Sequence, residues 1–507
     1  MTGSRLSSGG LVNRGRSLSF TFDGQTMKGF EGDTLASALI ANDQMLVGRS
    51  FKYHRPRGIV TAGSSEPNAL VTIGSGGRAE PNTRATMAEL YQGMEATSQN
   101  RWPSLKYDVG AVNSLLSPFL SAGFYYKTFM WPKPFWEKVY EPIIRRAAGL
   151  GKTPFEVDPD RYEKSWAHCD LLVIGAGPTG LMAARAAARA GMRVILADES
   201  FRFGGSLLSE RVSVGGMAAA DYAQSVVDEL KTLANVTLMP RTTVFGWYDD
   251  NVFGAVEKVQ KHVAQPSSDL PVERVWRIVA KRAILASGAE ERPLVFGGND
   301  KPGVMTSGAV RTYLNRYGVA AGREVAIFTN GGAGYRTAAD LIAAGVSISA
   351  IIDGRVQSGD EAPTGVRVIR GGAVVDTKGR HRISGLIVER SGHQEEISCD
   401  ALAMSGGFSP IVHLACQRGE KPVWSDAHQA FLAPDVGGGF GYKCMLMPEE
   451  VAVSWLALTR KEAFRWLEDR REHLTAGANA RQHEYKITAY ADRSGRLLGL
   501  DAEVAID

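Results

Sequence analysis

The chain has 507 residues, 44% of them hydrophobic and 22% charged, with a formal net charge of +4. That length allows about three domains of ordinary size, and so small a charge over so long a chain argues against nucleic acid as a partner. No run approaches the ~18 apolar residues of a membrane-spanning helix, and no secretory signal is recognisable.

The four cysteines, Cys169, Cys399, Cys416 and Cys444, are scattered. They form neither a C-x-x-C pair nor a zinc or iron-sulfur spacing, and read as reduced thiols of a cytoplasmic protein. The first 17 residues, rich in Arg, Ser and Gly, read as a flexible arm. From Leu18 the run LSFTFDGQTMKGF alternates around Asp23-Gly24, a hairpin signal. Asp33 is placed to cap a helix over Thr34 to Ala41, and Leu70 to Ile73 reads as a strand. Together these suggest a small α+β module over residues 1–100. Lys52, His54, Arg55 and Arg57 make a basic patch around Tyr53, suited either to an anionic cofactor or partner or simply to solvent. Residues 101–165 are rich in aromatics and proline, with FYYKTFMWPKPFWEKVYEP at their centre, and read as a connector packed between domains or subunits.

The most informative stretch is DLLVIGAGPTGLMAARAAARAGMRVILADESFRFGGSLL, Asp170 to Leu208. It reads as strand, glycine turn, helix and second strand. Gly175 makes the tight turn, Gly177 lets backbone approach a pyrophosphate, and Gly180 lets helix and strand pack closely. The pyrophosphate would sit on the positive helix N-terminus. The second strand ends in Asp198-Glu199, about 20 residues on, where an acid accepts from ribose hydroxyls; Asp198 fits best, with Glu199 beside it. Gly204-Gly205 follows. A helix is expected over Ala218 to Ala234 and β structure over Val236 to Trp247. Ala286-Ser287-Gly288 stands where flavoproteins with two dinucleotide-binding domains carry an ATG-like turn that returns to the first cofactor. A second αβ unit, about 322–356, has the glycine turn Asn330-Gly331-Gly332-Ala333-Gly334 and a strand ending in Asp353. Its spacing departs from a clean fingerprint, which leaves a drifted nucleotide site or a structural repeat. The expected class is α/β: a two-dinucleotide-binding-domain, glutathione-reductase-like Rossmann body over 166–433, preceded by the ferredoxin-like module.

The words FTFDGQ, EGDTLASALIAN, FKYHRPRGI, IIRRAAGLG, GGSLL and SGGFSPIVHL, with KPVW at Lys421 to Trp424, resemble the α subunit of heterotetrameric sarcosine oxidases over about residues 6–433. Related modules that hold a [2Fe-2S] cluster place cysteines just after the basic word. Here that region reads VTAGSSEPNALVTI, without a thiol, so a metal-free copy is expected. The resemblance implies NAD in this chain, FAD and the sarcosine site on a partner β subunit, FMN at the interface between the two, and further γ and δ subunits. It carries NAD contacts onto Thr179, Asp198, Glu199, Ser200, Ser206 and, in TTVFGWYD, Val244; Gly175, Gly177, Gly180, Gly205, Ser287 and Gly288 complete the expected site. No catalytic residue and no metal ligand is assigned. The implied reaction is oxidative demethylation of sarcosine to glycine with oxygen as acceptor. Two alternatives stay open: a self-sufficient FAD and NAD(P)H reductase with FAD in this chain, and a non-catalytic nucleotide-binding remnant.

From Pro434 the chain changes character. The tetrahydrofolate-binding domain of the sarcosine oxidase pattern is not recognisable. Residues 434–507 instead resemble a fragment of the molybdenum-binding large subunit of the xanthine dehydrogenase and aldehyde oxidase family, with Gly437 to Gly441 and Glu449 matching by word. About 74 residues cannot enclose a pterin, so a chimera or junction is expected there rather than a second active site.

Overall fold

The computed structural model describes residues 4–115, 117, 131–147, 149–417, 421–433, 483–491 and 497–506. The chain divides into two compact units, one of Met1–Arg418 with Ser425–Phe431, the other of Gly419–Trp424 with Leu432–Asp507.

The first unit opens with the expected hairpin, β1 (Asn13–Phe22) and β2 (Gln25–Glu31), joined through Asp23 and Gly24 at φ 49° and 80°. Two positive φ angles in a two-residue loop match the right-handed twist of the strands, which is why Asp-Gly stands there. Helix α1 (Leu35–Ala41) follows. Its cap is Thr34 rather than Asp33: Thr34 and Ser37 form a reciprocal capping box, so the hydroxyl takes the amide that the carboxylate was expected to take. Asp33 instead accepts from the Ser37 hydroxyl at 2.6 Å and pairs with Arg5 at 2.6 Å. Strands β3 (Leu70–Ile73), β4 (Glu80–Arg84) and β5 (Glu95–Ser98) complete a five-stranded sheet in the order β2-β1-β5-β3-β4.

The N-terminal arm is not free. Leu6 and Leu11 donate backbone hydrogen bonds to the carbonyls of Gly318 and Arg316 at 2.9 and 2.6 Å, and Ser4 accepts from Ala320. Glycine and serine lowered the helical signal there, but an extended strap needs no helix. In the aromatic segment Trp102, Tyr107, Trp131 and Phe155 are exposed on this chain among the described residues, as a surface awaiting a partner subunit would be.

The body carries two further sheets. β6 (Tyr162–Ile174), β7 (Val194–Ala197), β8 (Val236–Met239), β9 (Thr242–Tyr248), β10 (Val252–Lys258) and β11 (Glu273–Leu285) make a six-stranded sheet ordered β8-β7-β6-β11-β10-β9. Helices α2 (Pro178–Arg189) and α3 (Ala219–Thr232) cover one face. After β12 (Val304–Thr306), the second αβ unit runs α4 (Ser307–Tyr317), β13 (Glu324–Thr329), α5 (Gly332–Ala343), β14 (Ser347–Asp353) and β15 (Val368–Arg370). The three-stranded meander of β16 (Ala373–Lys378), β17 (Gly385–Arg390) and β18 (His393–Ser398) precedes β19 (Ala401–Ser405). The second sheet is ordered β12-β19-β13-β14-β15, and its ladders are all parallel.

One apolar cluster joins the small module to this second unit. Phe20, Leu35 and Leu39 pack in the same core as Tyr313, Leu314 and Ile327. Each such side chain contributes about 1.5–3 kcal/mol when fully buried, so the module is part of the body's core. The Tyr313 hydroxyl adds a hydrogen bond to the Thr61 carbonyl at 2.9 Å.

In the second unit the described strands, His483–Ala491 and Leu497–Ile506, pair antiparallel from His483↔Ile506 to Ala491↔Leu497. Gly437 to Gly441 and Glu449 lie outside the described residues.

Candidate functional site: a dinucleotide cavity closed by the N-terminal module

The glycine turn between β6 and α2 is built as its spacing predicts. Gly175 sits at φ 101°, a conformation that favours glycine, and a Cβ there would come within 2.4 Å of the Ala286 carbonyl. At Gly180 a Cβ would stand 1.8 Å from the Gly175 carbonyl, so the helix lies hard against its own turn. Gly177 is different: it is the helix N-cap, with φ −72° and ψ −173°, and nothing lies within 4 Å of a Cβ placed on it. The turn is tight where helix meets strand and open where a pyrophosphate would approach the free amides of the helix. Ala286 donates to the Ile174 carbonyl at 2.7 Å, so the Ala286-Ser287-Gly288 turn returns to this same place.

Beside the turn lies a cavity of about 710 Å³, within the range of ligand sites in general. Of the expected residues, Gly175, Asp198, Glu199, Ser200, Gly205, Ser206, Val244 and Ser287 line it; Gly177, Thr179, Gly180 and Gly288 do not.

The two acids at the end of β7 divide their work. Asp198 accepts from the Ala176 amide at 2.6 Å and from the Ser200 amide at 2.8 Å, one on each oxygen. It therefore braces the glycine turn, and burial holds its carboxyl above the usual range. Glu199 stands open to the cavity, and among the described residues only the Ser64 hydroxyl donates to it, at 2.7 Å. Surrounding protein raises its pKa, a shift that the Ser64 hydrogen bond opposes and the Asp198 charge reinforces. Each Asp198 oxygen thus already accepts one backbone amide, whereas one Glu199 oxygen has no hydrogen bond among the described residues.

Sequence reasoning missed the residues that the N-terminal module and β9 to β10 supply. Thr61 to Ser65 and Thr86 to Glu89 form one wall. Arg241, Lys258, Lys261 and His262 add a basic side, in which Arg241 pairs with Glu89 at 2.7 Å and Lys261 with Glu80 at 2.9 Å. Among the described residues, two buried polar atoms on the wall have no hydrogen-bond partner within geometric limits, His262 Nδ1 and Glu291 Oε1. Burial lowers the His262 pKa, and Arg241 lowers it further. The other Glu291 oxygen accepts from the Gly308 amide at the start of α4, at 2.5 Å. Open space over Gly177, a free ribose acceptor and orphaned polar atoms on the wall together fit a dinucleotide.

Where related modules carry cluster cysteines, the loop folds around a carboxylate. Glu66, 1% exposed, accepts from the amides of Val60, Thr61, Asn68 and Ala69 at 2.7 to 3.2 Å. Residues 15–101 contain no cysteine, so this module lacks the thiolates a [2Fe-2S] cluster requires.

The second glycine turn is closed off by its own side chains. Tyr335 is buried and donates to Asp353 at 2.8 Å, and Arg355 takes both oxygens of the same carboxylate. The acid that would hold a second ribose is consumed, which favours a structural repeat.

A family model of pyridine nucleotide-disulphide oxidoreductases matches residues 169–423, half of the chain. The chain belongs to that family. A 2Fe-2S iron-sulfur cluster binding domain model matches residues 15–101 and a molybdopterin cofactor-binding domain model residues 430–507. The chain is 66% identical over 445 residues to a sarcosine oxidase subunit alpha of Rhizobium meliloti (strain 1021), covering 87% of this chain and 45% of that protein. It is 38% identical over 438 residues to a sarcosine oxidase subunit alpha of Corynebacterium sp. (strain P-1), covering 84% of this chain and 40% of that protein. The chain thus spans less than half the length of these relatives. Among solved structures, L-proline dehydrogenase from P. horikoshii superposes with a TM-score of 0.55 at 19% identity, over 86% of this chain and 71% of that one, a likeness of fold. Among the described residues no helix is long and apolar enough to cross a membrane.

Proposed function

We propose that this chain is the NAD-binding α subunit of a sarcosine-oxidase-like complex. The complex would oxidise the CH–NH bond of sarcosine to give glycine, with oxygen as acceptor. The flavin chemistry would rest mainly on a partner β subunit carrying FAD, with FMN at the interface and γ and δ subunits completing the assembly. The observation that carries this reading is the cavity itself: glycine turn, free Glu199 and returning Ser287 meet in one space, in a chain that shares 66% identity with a sarcosine oxidase subunit alpha.

In this reading the chain's own residues bind and orient. The amides at the start of α2 face the pyrophosphate across the open space at Gly177, Glu199 accepts from a ribose hydroxyl, and Val244 offers an apolar surface to the adenine. Asp198 keeps the turn in shape. Ser206 and Ser200 supply hydroxyls along the same wall. Bound NAD would supply a redox-capable nicotinamide, and Glu291, one oxygen of which holds the Gly308 amide at the start of α4, would meet the polar groups of the ligand with its other oxygen.

The test is to purify the full chain, record its visible spectrum, and identify the nucleotide released on denaturation by mass spectrometry. Colourless protein releasing NAD supports the reading. Yellow protein releasing FAD overturns it in favour of a self-sufficient reductase, with Glu199 on the FAD ribose. Sarcosine turnover on addition of β, γ and δ subunits then separates an active α subunit from a nucleotide-binding remnant.

A further inference from the structure

A second cavity, of about 430 Å³, shares no lining residue with the first. It forms where the basic word of the small module (Arg49 to Pro56), the start of the connector (Pro103 to Ser114) and the turn after β16 (Arg380 and His381) converge. Its wall carries four cations, Arg49, Arg55, Lys106 and Arg380, against one acid, Asp108. That acid is already spent. Asp108 lies 2.6 Å from His54 Nδ1 and 3.9 Å from Arg49 Nε, and its other oxygen accepts from the Trp102 and Gly110 amides. Arg49 turns its donors onto the carbonyls of Leu105, His54 and Lys106, and Arg55 leans on Asp300 at 3.2 Å.

Among the described residues two of these cations have no anionic partner. Lys106 is exposed and lies over the Tyr107 ring, 5.5 Å from its centroid; Arg380 is exposed and has no hydrogen bond or ion pair among the described residues. The groups feel one another: after burial, the charges of Arg49, Arg380 and Lys106 all lower the pKa of His381, and Arg380 lowers that of Arg49. Uncompensated positive charge gathered in a concave site favours an anion. A planar guanidinium, an ammonium and an imidazole on one wall suit the several oxygens of a dianion better than a single carboxylate.

We propose that this cavity is a binding site for the phosphate group of a phosphate monoester, held by Lys106 and Arg380 with His381 and Arg55 around it. The volume suits a mononucleotide-sized ligand, and the site is independent of the dinucleotide reading.

The full chain, saturated with NAD to fill the larger cavity, is titrated by calorimetry with inorganic phosphate, with AMP and with adenosine. Phosphate and AMP bind saturably and adenosine does not. The double variant K106A/R380A, which alters only exposed side chains and is checked by its melting temperature, weakens AMP binding by at least about tenfold, the loss of two charge-assisted contacts, and leaves NAD affinity unchanged. No saturable binding of phosphate or AMP, equal binding of adenosine and AMP, or AMP binding untouched by the double variant would each overturn the proposal. The double variant decides the matter even if NAD does not bind, because neither residue lines the larger cavity.

Discussion

Replacing Gly177 and Gly180 separates fold from binding at a single turn. Gly177 has an extended backbone that any residue adopts and open space where a Cβ would stand. Gly177→Ala or Gly177→Val therefore costs only the preference for glycine over alanine at an N-cap, about 0.5–1 kcal/mol. In the proposed reading the pyrophosphate lies in this open space. A side chain there holds the phosphates off the helix amides and forfeits one or two charge-assisted hydrogen bonds of about 1.5–3 kcal/mol each. That corresponds to NAD binding weaker by about tenfold to a few hundredfold, more for valine than for alanine. Gly180→Ala behaves oppositely: its Cβ would stand 1.8 Å from the Gly175 carbonyl and 3.3 Å from the Ala286 Cβ. The turn has to open, at about 1–3 kcal/mol or more for overpacking, so stability and binding fall together. Calorimetric NAD titration and thermal melting of the three variants check this. Wild-type affinity in Gly177→Val would refute the placement of the pyrophosphate, and an unchanged melting temperature in Gly180→Ala would refute the packing argument.

Glu199 has a raised pKa and accepts from ribose more strongly when ionised, so in the proposed reading NAD affinity should rise with pH from the ordinary carboxylate range up through the raised value and then level. Glu199→Gln should flatten that rise and weaken binding on the plateau by about tenfold or more; parallel profiles for the two proteins would remove Glu199 from the site. Glu66→Ala leaves four amides without their acceptor and should cost about 2–5 kcal/mol, read as a lower denaturant midpoint, with weaker NAD binding because Thr61 to Ser65 line the cavity. Burial raises the folded-state pKa of Glu66, so its ionisation opposes folding: its contribution is most favourable below about pH 4.3 and declines as pH rises through the raised value. An unchanged midpoint in Glu66→Ala would sink the claim that this carboxylate organises the loop. Burial pushes the Cys169 thiol up to about 11 and the Cys399 thiol up to about 12. Neither should react with iodoacetamide in the native protein at pH 7.5, as mapped by peptide mass spectrometry; rapid labelling of either would contradict its packing.

What could be read from the sequence was local. The Asp23-Gly24 hairpin, the β6–α2–β7 unit and the Tyr335 crowding of the second turn each lie within about 40 consecutive residues, where turn chemistry and periodicity act directly. The bracing role of Asp198 was not legible: which of two adjacent carboxylates at a strand end receives the Ala176 amide is not recorded by spacing. The strap at Leu6 to Leu11 and the Ser64 contact to Glu199 join positions far apart in the chain, Ser64 and Glu199 being 135 positions apart. No periodicity marks such contacts. The buried role of Glu66 was hidden because a lone glutamate in a loop normally reads as solvated surface.

The small module shows how a fold can outlast the group it is named for. Without thiols it cannot hold a cluster, yet its loop is not left to collapse: Glu66 gathers four amides, and the Tyr313 hydroxyl holds Thr61 in place. That loop then presents Ser64 to Glu199 and closes the open side of the dinucleotide cavity. Its core is continuous with that of the second αβ unit, so loss of the module would uncover Tyr313 and Leu314 as well as the cavity. The module thus contributes both to the core and to the wall of the cavity. Ser64→Ala measures the second of these alone: it removes the one hydroxyl that shares Glu199 with the ligand, without disturbing the Glu66 network. NAD binding changed by Ser64→Ala with an unaltered melting temperature would show that the module takes part in recognition; equal affinity would confine it to packing.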